Sequence, residues 1–187
     1  MILKHHPTHL FLQTLQESVF GSHLSGSLAL QMQGYNTGKE AGDIDVYLEP
    51  STEFKAEKVI KDAADAVWEK LDKGLFTIKV QLVRDDEYLD DEFVRISYNF
   101  SYMEKNTAKR LKVDFFCSRA IDGSVDYLAE NGSTSSYTIE DGEKFKVRTL
   151  SAIDIIKFKV QHAMNDEGHW SEKKQQVDLV RFFANLI

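Results

Sequence analysis

Two aspartates stand one residue apart in segment 43–48, where acidic and apolar side chains alternate. In an extended strand this alternation places Ile44, Val46 and Leu48 on one face and both carboxylates on the other. The two like charges then lie about 6.5 to 7 Å apart along the backbone and repel each other unless a cation is held between them. The segment therefore predicts a strand with one buried face, whose other face is either a metal site or the solvent-facing side of an edge strand.

The composition fits one compact unit. The chain has 187 residues, of which 42% are hydrophobic, which is enough for one substantial core but short for two independent domains. We expect a core over 1–148 and a helical carboxy-terminal region over 149–187 that packs on it. No apolar run reaches the roughly 18 residues of a membrane-spanning helix, and no signal-peptide pattern opens the chain. The expectation is a soluble, cytoplasmic protein with no membrane partner.

Charge and cysteine content argue against two further classes. A net charge of -7, from 30 acidic and 23 basic residues, argues against binding nucleic acid along a whole face of the protein. The basic strip 105–112 contains no aromatic residue for base stacking, and we interpret it as a solvated hairpin with its flanks. Cys117 is the only cysteine, so it forms no internal disulfide and is expected to be a packed thiol.

Hydrophobic periodicity predicts an α+β fold. The predicted helices cover 8–20, 53–73, 151–164 and 171–187, with one or two further helical turns over 28–33. The predicted strands cover 23–25, 43–48, 76–82, 94–102, 111–115 and 145–147. Short polar links join the three strands between 76 and 115, so these are expected to be antiparallel. Turns are predicted at 131–133 and 141–142.

A glycine and a serine precede the acidic strand. Gly26 allows the backbone to approach a ligand closely, and the Ser27 hydroxyl can bind a phosphate oxygen. Amides at the start of the following short helix favour an anion. Ser27 can equally cap that helix. An anion site beside a pair of carboxylates is typical of phosphoryl or nucleotidyl transfer.

A third carboxylate, Asp114, lies in a later predicted strand. Hard carboxylate oxygens suit Mg²⁺, and two such ions roughly 3.5 to 4 Å apart can activate a nucleophilic oxygen and stabilise a leaving phosphate. A calcium-binding EF-hand is excluded because Leu48 and Phe54 stand where that loop needs glycine and glutamate. The three aspartates are therefore predicted to form a magnesium site.

Together these motifs resemble the polymerase-beta-type nucleotidyltransferase superfamily, and within it the minimal proteins related to abortive-infection nucleotidyltransferase toxins. The matching segments are Gly26-Ser27-x-Ala29-Leu30, then Gly42-Asp43-Ile44-Asp45, then Asp114 between apolar strand residues. The resemblance implies a short mixed β-sheet flanked by helices, followed by a helical carboxy-terminal region.

The resemblance also implies roles for individual residues. The implied catalytic metal ligands are Asp43, Asp45 and Asp114; the implied nucleotide-binding residues are Gly26, Ser27 and Lys159. Lys157 is the alternative to Lys159 as the lysine of the later helix. A basic element of the last helix is matched by 174–178, where Gln175 replaces the usual aspartate. Lys174 and Asp178 can instead form a simple i,i+4 ion pair.

The function implied is Mg²⁺-dependent transfer of a nucleoside monophosphate from an NTP, such as ATP, to an acceptor hydroxyl. Two Mg²⁺ ions are expected, with Mn²⁺ as a substitute. The acceptor is RNA, protein or a small molecule, and an antitoxin is a candidate partner. The alternative, favoured by Gln175, is a non-catalytic nucleotide- or partner-binding protein on the same scaffold.

Overall fold

Four helices and seven strands make up the described part of the chain. The computed structural model describes residues 6–19, 21–48, 62, 65, 69, 79–86, 93–104, 107–118, 133–138, 144–164 and 170–185. The helices are α1 (His6–Ser18), α2 (Gly26–Met32), α3 (Ala152–Met164) and α4 (Trp170–Ala184). The strands are β1 (Ser22–Ser25), β2 (Ile44–Leu48), β3 (Lys79–Asp86), β4 (Phe93–Glu104), β5 (Thr107–Ser118), β6 (Ser133–Thr138) and β7 (Lys144–Thr149). The predicted α+β class, with helices at the carboxy-terminal end, is confirmed.

The strands form one mixed sheet in the order β3-β4-β5-β2-β1-β7-β6. β3, β4 and β5 are antiparallel neighbours, as predicted. β2 lies at the centre, parallel to β5 and antiparallel to β1. The β2–β5 register sets Asp45 directly opposite Asp114. Since neighbouring strands lie about 4.8 Å apart, this pairing brings the carboxylates of β2 and β5 close together.

The core confirms the predicted alternation in β2. Ile44, Val46 and Leu48 are at most 1% exposed, and on β5 Val113 and Phe115 are fully buried beside them. Helix α1 adds further buried apolar side chains to the same core, namely Phe11, Leu12 and Leu15. With one face of β2 committed to the core, the register of its carboxylates on the other face is fixed.

One strand was not predicted from the sequence, which favours a turn at 131–133 and no regular element between it and the turn at 141–142. Ser133 instead begins β6, which pairs with β7 and lies at the edge of the sheet formed by the described strands. Its sequence, STSSYT, has no apolar alternation, so hydrophobic periodicity cannot detect it. The predicted strand 76–82 is described from 79 onward, where β3 continues to Asp86, and its pairing with β4 is irregular between Leu82 and Arg84.

Some predictions fall partly or wholly outside the described residues. The predicted helix 53–73 is described at 62, 65 and 69, which are helical and exposed. The turns at 131–132 and 141–142 and the packing of the Cys117 side chain are not among the described features. No described helix combines the length and apolar character needed to cross a membrane.

Candidate active site

Three carboxylates converge at one end of the sheet. Asp43, Asp45 and Asp114 each offer an oxygen, and these atoms all lie within 4.8 Å of one another. Asp43 immediately precedes β2, and the β2–β5 pairing supplies the other two residues. Asp43 and Asp45 are partly exposed, whereas Asp114 is fully buried. Oxygen atoms at this spacing can surround a small hard cation.

The buried carboxylate of Asp114 accepts a hydrogen bond at each of its two oxygens. The Ser97 hydroxyl donates to Oδ1 at 2.5 Å, and the Lys112 ammonium donates to Oδ2 at 2.7 Å. Lys112 Nζ also lies 3.9 Å from Asp43 Oδ2. The sequence places Lys112 on the same strand face as Asp114, two residues away. Nothing in the sequence points to Ser97, because its role depends on the β4–β5 register that sets it opposite Asp114.

Gly26 is packed directly against the side chain of Asp45. It begins α2 with φ +66°, and a Cβ atom at this position would lie 1.9 Å from Asp45 Oδ2. Only glycine fits both the backbone conformation and the close contact. Ser27 lies inside α2, whose N-cap is Ser25, so the alternative that Ser27 caps the helix is wrong.

A cleft opens between α2, the loop 33–43, α3 and α4. Its walls are formed by Ser27, Leu30, Thr37, Lys39, Ile156, Lys159, Asp178, Leu179 and Phe182. Helix α3 packs over the functional face of the sheet, where its Phe158 ring meets Phe116 of β5 at 6.2 Å between centroids. This packing places Lys159 in the cleft wall, whereas Lys157, its alternative, is exposed.

Lys159 links the cleft electrostatically to the carboxylates. Burial lowers the pKa of Lys159 below the usual lysine value, and the negative charges of Asp45 and Asp178 oppose that effect. Lys174 and Lys39 add to the lowering by repulsion. A buried amine that feels the charge of a candidate metal ligand is well placed to meet a phosphate bound beside it.

Asp178, near the middle of α4, ties this helix to the loop before β2. Its Oδ1 lies 2.6 Å from Lys39 Nζ and 3.8 Å from Arg181 Nη1. Asp178 is 9% exposed. Lys39 was given no role from the sequence. No local pattern indicates its pairing with Asp178, because the two residues are 139 positions apart.

We expect Asp178→Asn to lower the free energy of unfolding by about 1 kcal/mol, because it leaves the Lys39 ammonium without its buried counter-charge while the partial exposure of Lys39 limits the cost. Urea unfolding measures this. Asn185→Ala, just after the same helix, is the matched control. It removes two exposed hydrogen bonds, one accepted from Asn36 at 3.1 Å and one donated to the Arg181 carbonyl at 2.7 Å, and should cost under about 0.5 kcal/mol. Equal losses of unfolding free energy in both variants would show that the Lys39–Asp178 ion pair stabilises the fold no more than an exposed contact does.

Comparison with known proteins defines the fold. No family model and no curated protein matches this chain. Among solved structures, JHP933 from Helicobacter pylori is similar with a TM-score of 0.51 and 15% identity over 95% of this chain. An antigenic nucleotidyltransferase-like protein from Paracoccidioides brasiliensis is similar with a TM-score of 0.54 and 11% identity, over 95% of this chain and 76% of its own. The chain has a nucleotidyltransferase-like fold.

The nucleotidyltransferase-like fold confirms the fold that the resemblance of the motifs implies. The chain spans 63% of the length of JHP933. The three aspartates that the motifs singled out are brought together by the sheet, with Gly26 against one of them and Ser27 and Lys159 in the adjoining cleft. The link to toxins stays a prediction.

Proposed function

We propose that this protein is a Mg²⁺-dependent nucleotidyltransferase that moves a nucleoside monophosphate from an NTP to an acceptor hydroxyl. The observation that carries the proposal is the position of the three carboxylates, next to a glycine–serine helix start and a lysine-containing cleft, on a nucleotidyltransferase-like fold. A metal-binding cluster alone fits many reactions, whereas a cluster beside groups suited to a phosphate chain favours this one.

The donor set fits a hard divalent cation. Asp43, Asp45 and Asp114 supply only oxygen atoms, which suit Mg²⁺ or Mn²⁺ better than a softer metal. Asp45 is seated against Gly26, where no side chain intervenes. A bound Mg²⁺ would supply neutralisation of the phosphate charge and polarisation of the α-phosphoryl group.

The cleft residues suit the other parts of an NTP. The ammonium of Lys159 and the hydroxyl of Ser27 are the groups we assign to the phosphate chain. Leu30, Ile156 and Phe182 form the apolar part of the cleft wall.

The proposed reaction is an in-line displacement. The acceptor oxygen forms a bond to the α-phosphorus, the bond from that phosphorus to the bridging oxygen of the β-phosphate breaks, and pyrophosphate leaves with the electron pair. The hydroxyl proton passes to a carboxylate of the site and from there to water.

A label-transfer assay tests the proposed function. Purified protein with Mg²⁺ is given each of four NTPs labelled at the α-phosphate, together with cellular RNA, soluble protein or a small-metabolite pool. Label appearing in one fraction supports transfer and names both the acceptor class and the preferred base. Metal-dependent NTP binding without transfer to any fraction would instead support the non-catalytic alternative.

Lys159→Met is expected to weaken NTP binding about tenfold, because a charge-assisted contact to phosphate is lost. Titration of a fluorescent NTP measures this, and the exposed Lys157→Met on the same helix should bind as the parent does. An equal loss in both variants would count against the assignment of Lys159.

The lowered pKa of Lys159 predicts a pH dependence of NTP binding. The protonated amine holds the phosphate, so affinity is full below that pKa and falls as pH rises through it, at a pH below the usual lysine value of 10.5. Lys159→Arg keeps its charge throughout this range and should remove the fall. The measurement is NTP affinity against pH; the same slope in the arginine variant would contradict the explanation.

A further inference from the structure

Lys112 carries a positive charge into the acidic cluster. Its Nζ lies 2.7 Å from Asp114 Oδ2 and 3.9 Å from Asp43 Oδ2, and its side chain is 36% exposed. The ammonium therefore lies on the side of the cluster shared by these two carboxylates. Asp45 is the carboxylate that packs against Gly26.

Asp114 has both of its oxygens engaged by the protein. Ser97 Oγ donates to Oδ1 at 2.5 Å, and Lys112 donates to Oδ2 at 2.7 Å. The side chain of Asp114 is 1% exposed, so the strands around it leave little room for it to turn toward a new ligand. An ion bound through Asp114 Oδ2 would have to displace the ammonium or lie within a few ångström of it.

Charge balance points the same way. Lys112 offsets one of the three carboxylate charges, and a single divalent ion offsets the other two. In two-ion sites the metals lie about 3.5 to 4 Å apart. A second divalent ion at that distance would be repelled by both the first ion and the Lys112 ammonium, and only the phosphate oxygens of the nucleotide would remain to neutralise it.

We propose that Lys112 replaces the second cation, so that the site takes one divalent ion, between Asp43 and Asp45, with the lysine ammonium beside Asp114. This rests on the proposed function and revises the expectation of two ions. In the proposed reaction the ammonium stabilises the negative charge that develops on the attacking acceptor oxygen, the task that the second ion performs in a two-ion site.

The test is a count of Mn²⁺ ions by anomalous diffraction from crystals soaked with Mn²⁺ and α,β-methylene ATP. One ion in the parent protein, beside Asp43 and Asp45, is the expected result. In Lys112→Met we expect a second ion at Asp114. Arg110→Met is the matched control, since Arg110 is exposed on the same strand face two residues away, and it should give one ion like the parent.

Two ions in the parent protein, with Lys112 turned away from Asp114, would overturn the inference and leave the proposed function standing. A parent protein that binds the nucleotide analogue without any ion would overturn both. The parent count decides the question even where Lys112→Met fails to fold. In solution, the free Mn²⁺ signal in electron paramagnetic resonance gives the same count of ions per chain.

Discussion

Asp45→Asn is expected to reduce nucleotidyl transfer about a thousandfold, equivalent to about 4 kcal/mol of transition-state stabilisation. Asparagine has nearly the same shape as aspartate, so the contact with Gly26 and the strand pairing with Ser25 are kept. What is lost is one of the charges that would hold the cation. Because Asp45 also favours the charged form of Lys159, the change weakens both the metal and the phosphate halves of the site.

Initial rates of α-phosphate label transfer, at several Mg²⁺ concentrations, measure this effect. Far-ultraviolet circular dichroism and thermal unfolding check that the variant is folded. Asp62→Asn is the matched control, since it removes an exposed carboxylate from a helical residue and should transfer label at the parent rate. Parent-level activity in folded Asp45→Asn would rule out the proposed mechanism.

The parts of the site that the sequence predicts are those set by local patterns. Alternation within 43–48 gives the strand, its buried face and the shared face of Asp43 and Asp45, because side-chain direction follows from backbone geometry alone. The short helix after Gly26 is likewise a local feature. These positions hold in the structure because the buried apolar face of β2 allows no other register.

Other parts of the site depend on which strands and loops meet, and sequence periodicity does not carry that information. Asp114 was singled out as a carboxylate in a later predicted strand, but its place beside Asp45 comes from the parallel β2–β5 pairing. Ser97 faces Asp114 only because of the β4–β5 register. The pair between Lys39 and Asp178 requires a loop and a distant helix to dock together, and neither segment signals the other.

The missed strand β6 shows a different limit. An edge strand buries little apolar surface. It can therefore be built from serine and threonine, whose hydroxyl groups can form hydrogen bonds with water. Only its backbone pairing with β7 defines it. Hydrophobic patterning therefore describes the centre of this sheet well and its polar edge poorly.

Gly26→Ala is expected to reduce transfer about a hundredfold while lowering the free energy of unfolding by only about 1 to 2 kcal/mol. The stability loss comes from forcing alanine into the left-handed conformation with φ +66°. The activity loss comes from the new methyl group, which would lie 1.9 Å from Asp45 Oδ2. The carboxylate must move by more than about 1 Å to escape, and a displacement of that size in a catalytic group costs about a hundredfold in rate.

Gly34→Ala separates these two effects. Gly34 also has a left-handed backbone, with φ +89°, but nothing lies within 4 Å of the position of its Cβ. Gly34→Ala should therefore show the cost of backbone strain alone, with a stability loss no greater than that of Gly26→Ala, and it should keep its transfer activity. If both variants lose activity equally, backbone strain accounts for the loss. If only Gly26→Ala does, the loss follows from displacement of Asp45, and the glycine before Ser27 serves to seat a carboxylate as well as to open the backbone to a phosphate.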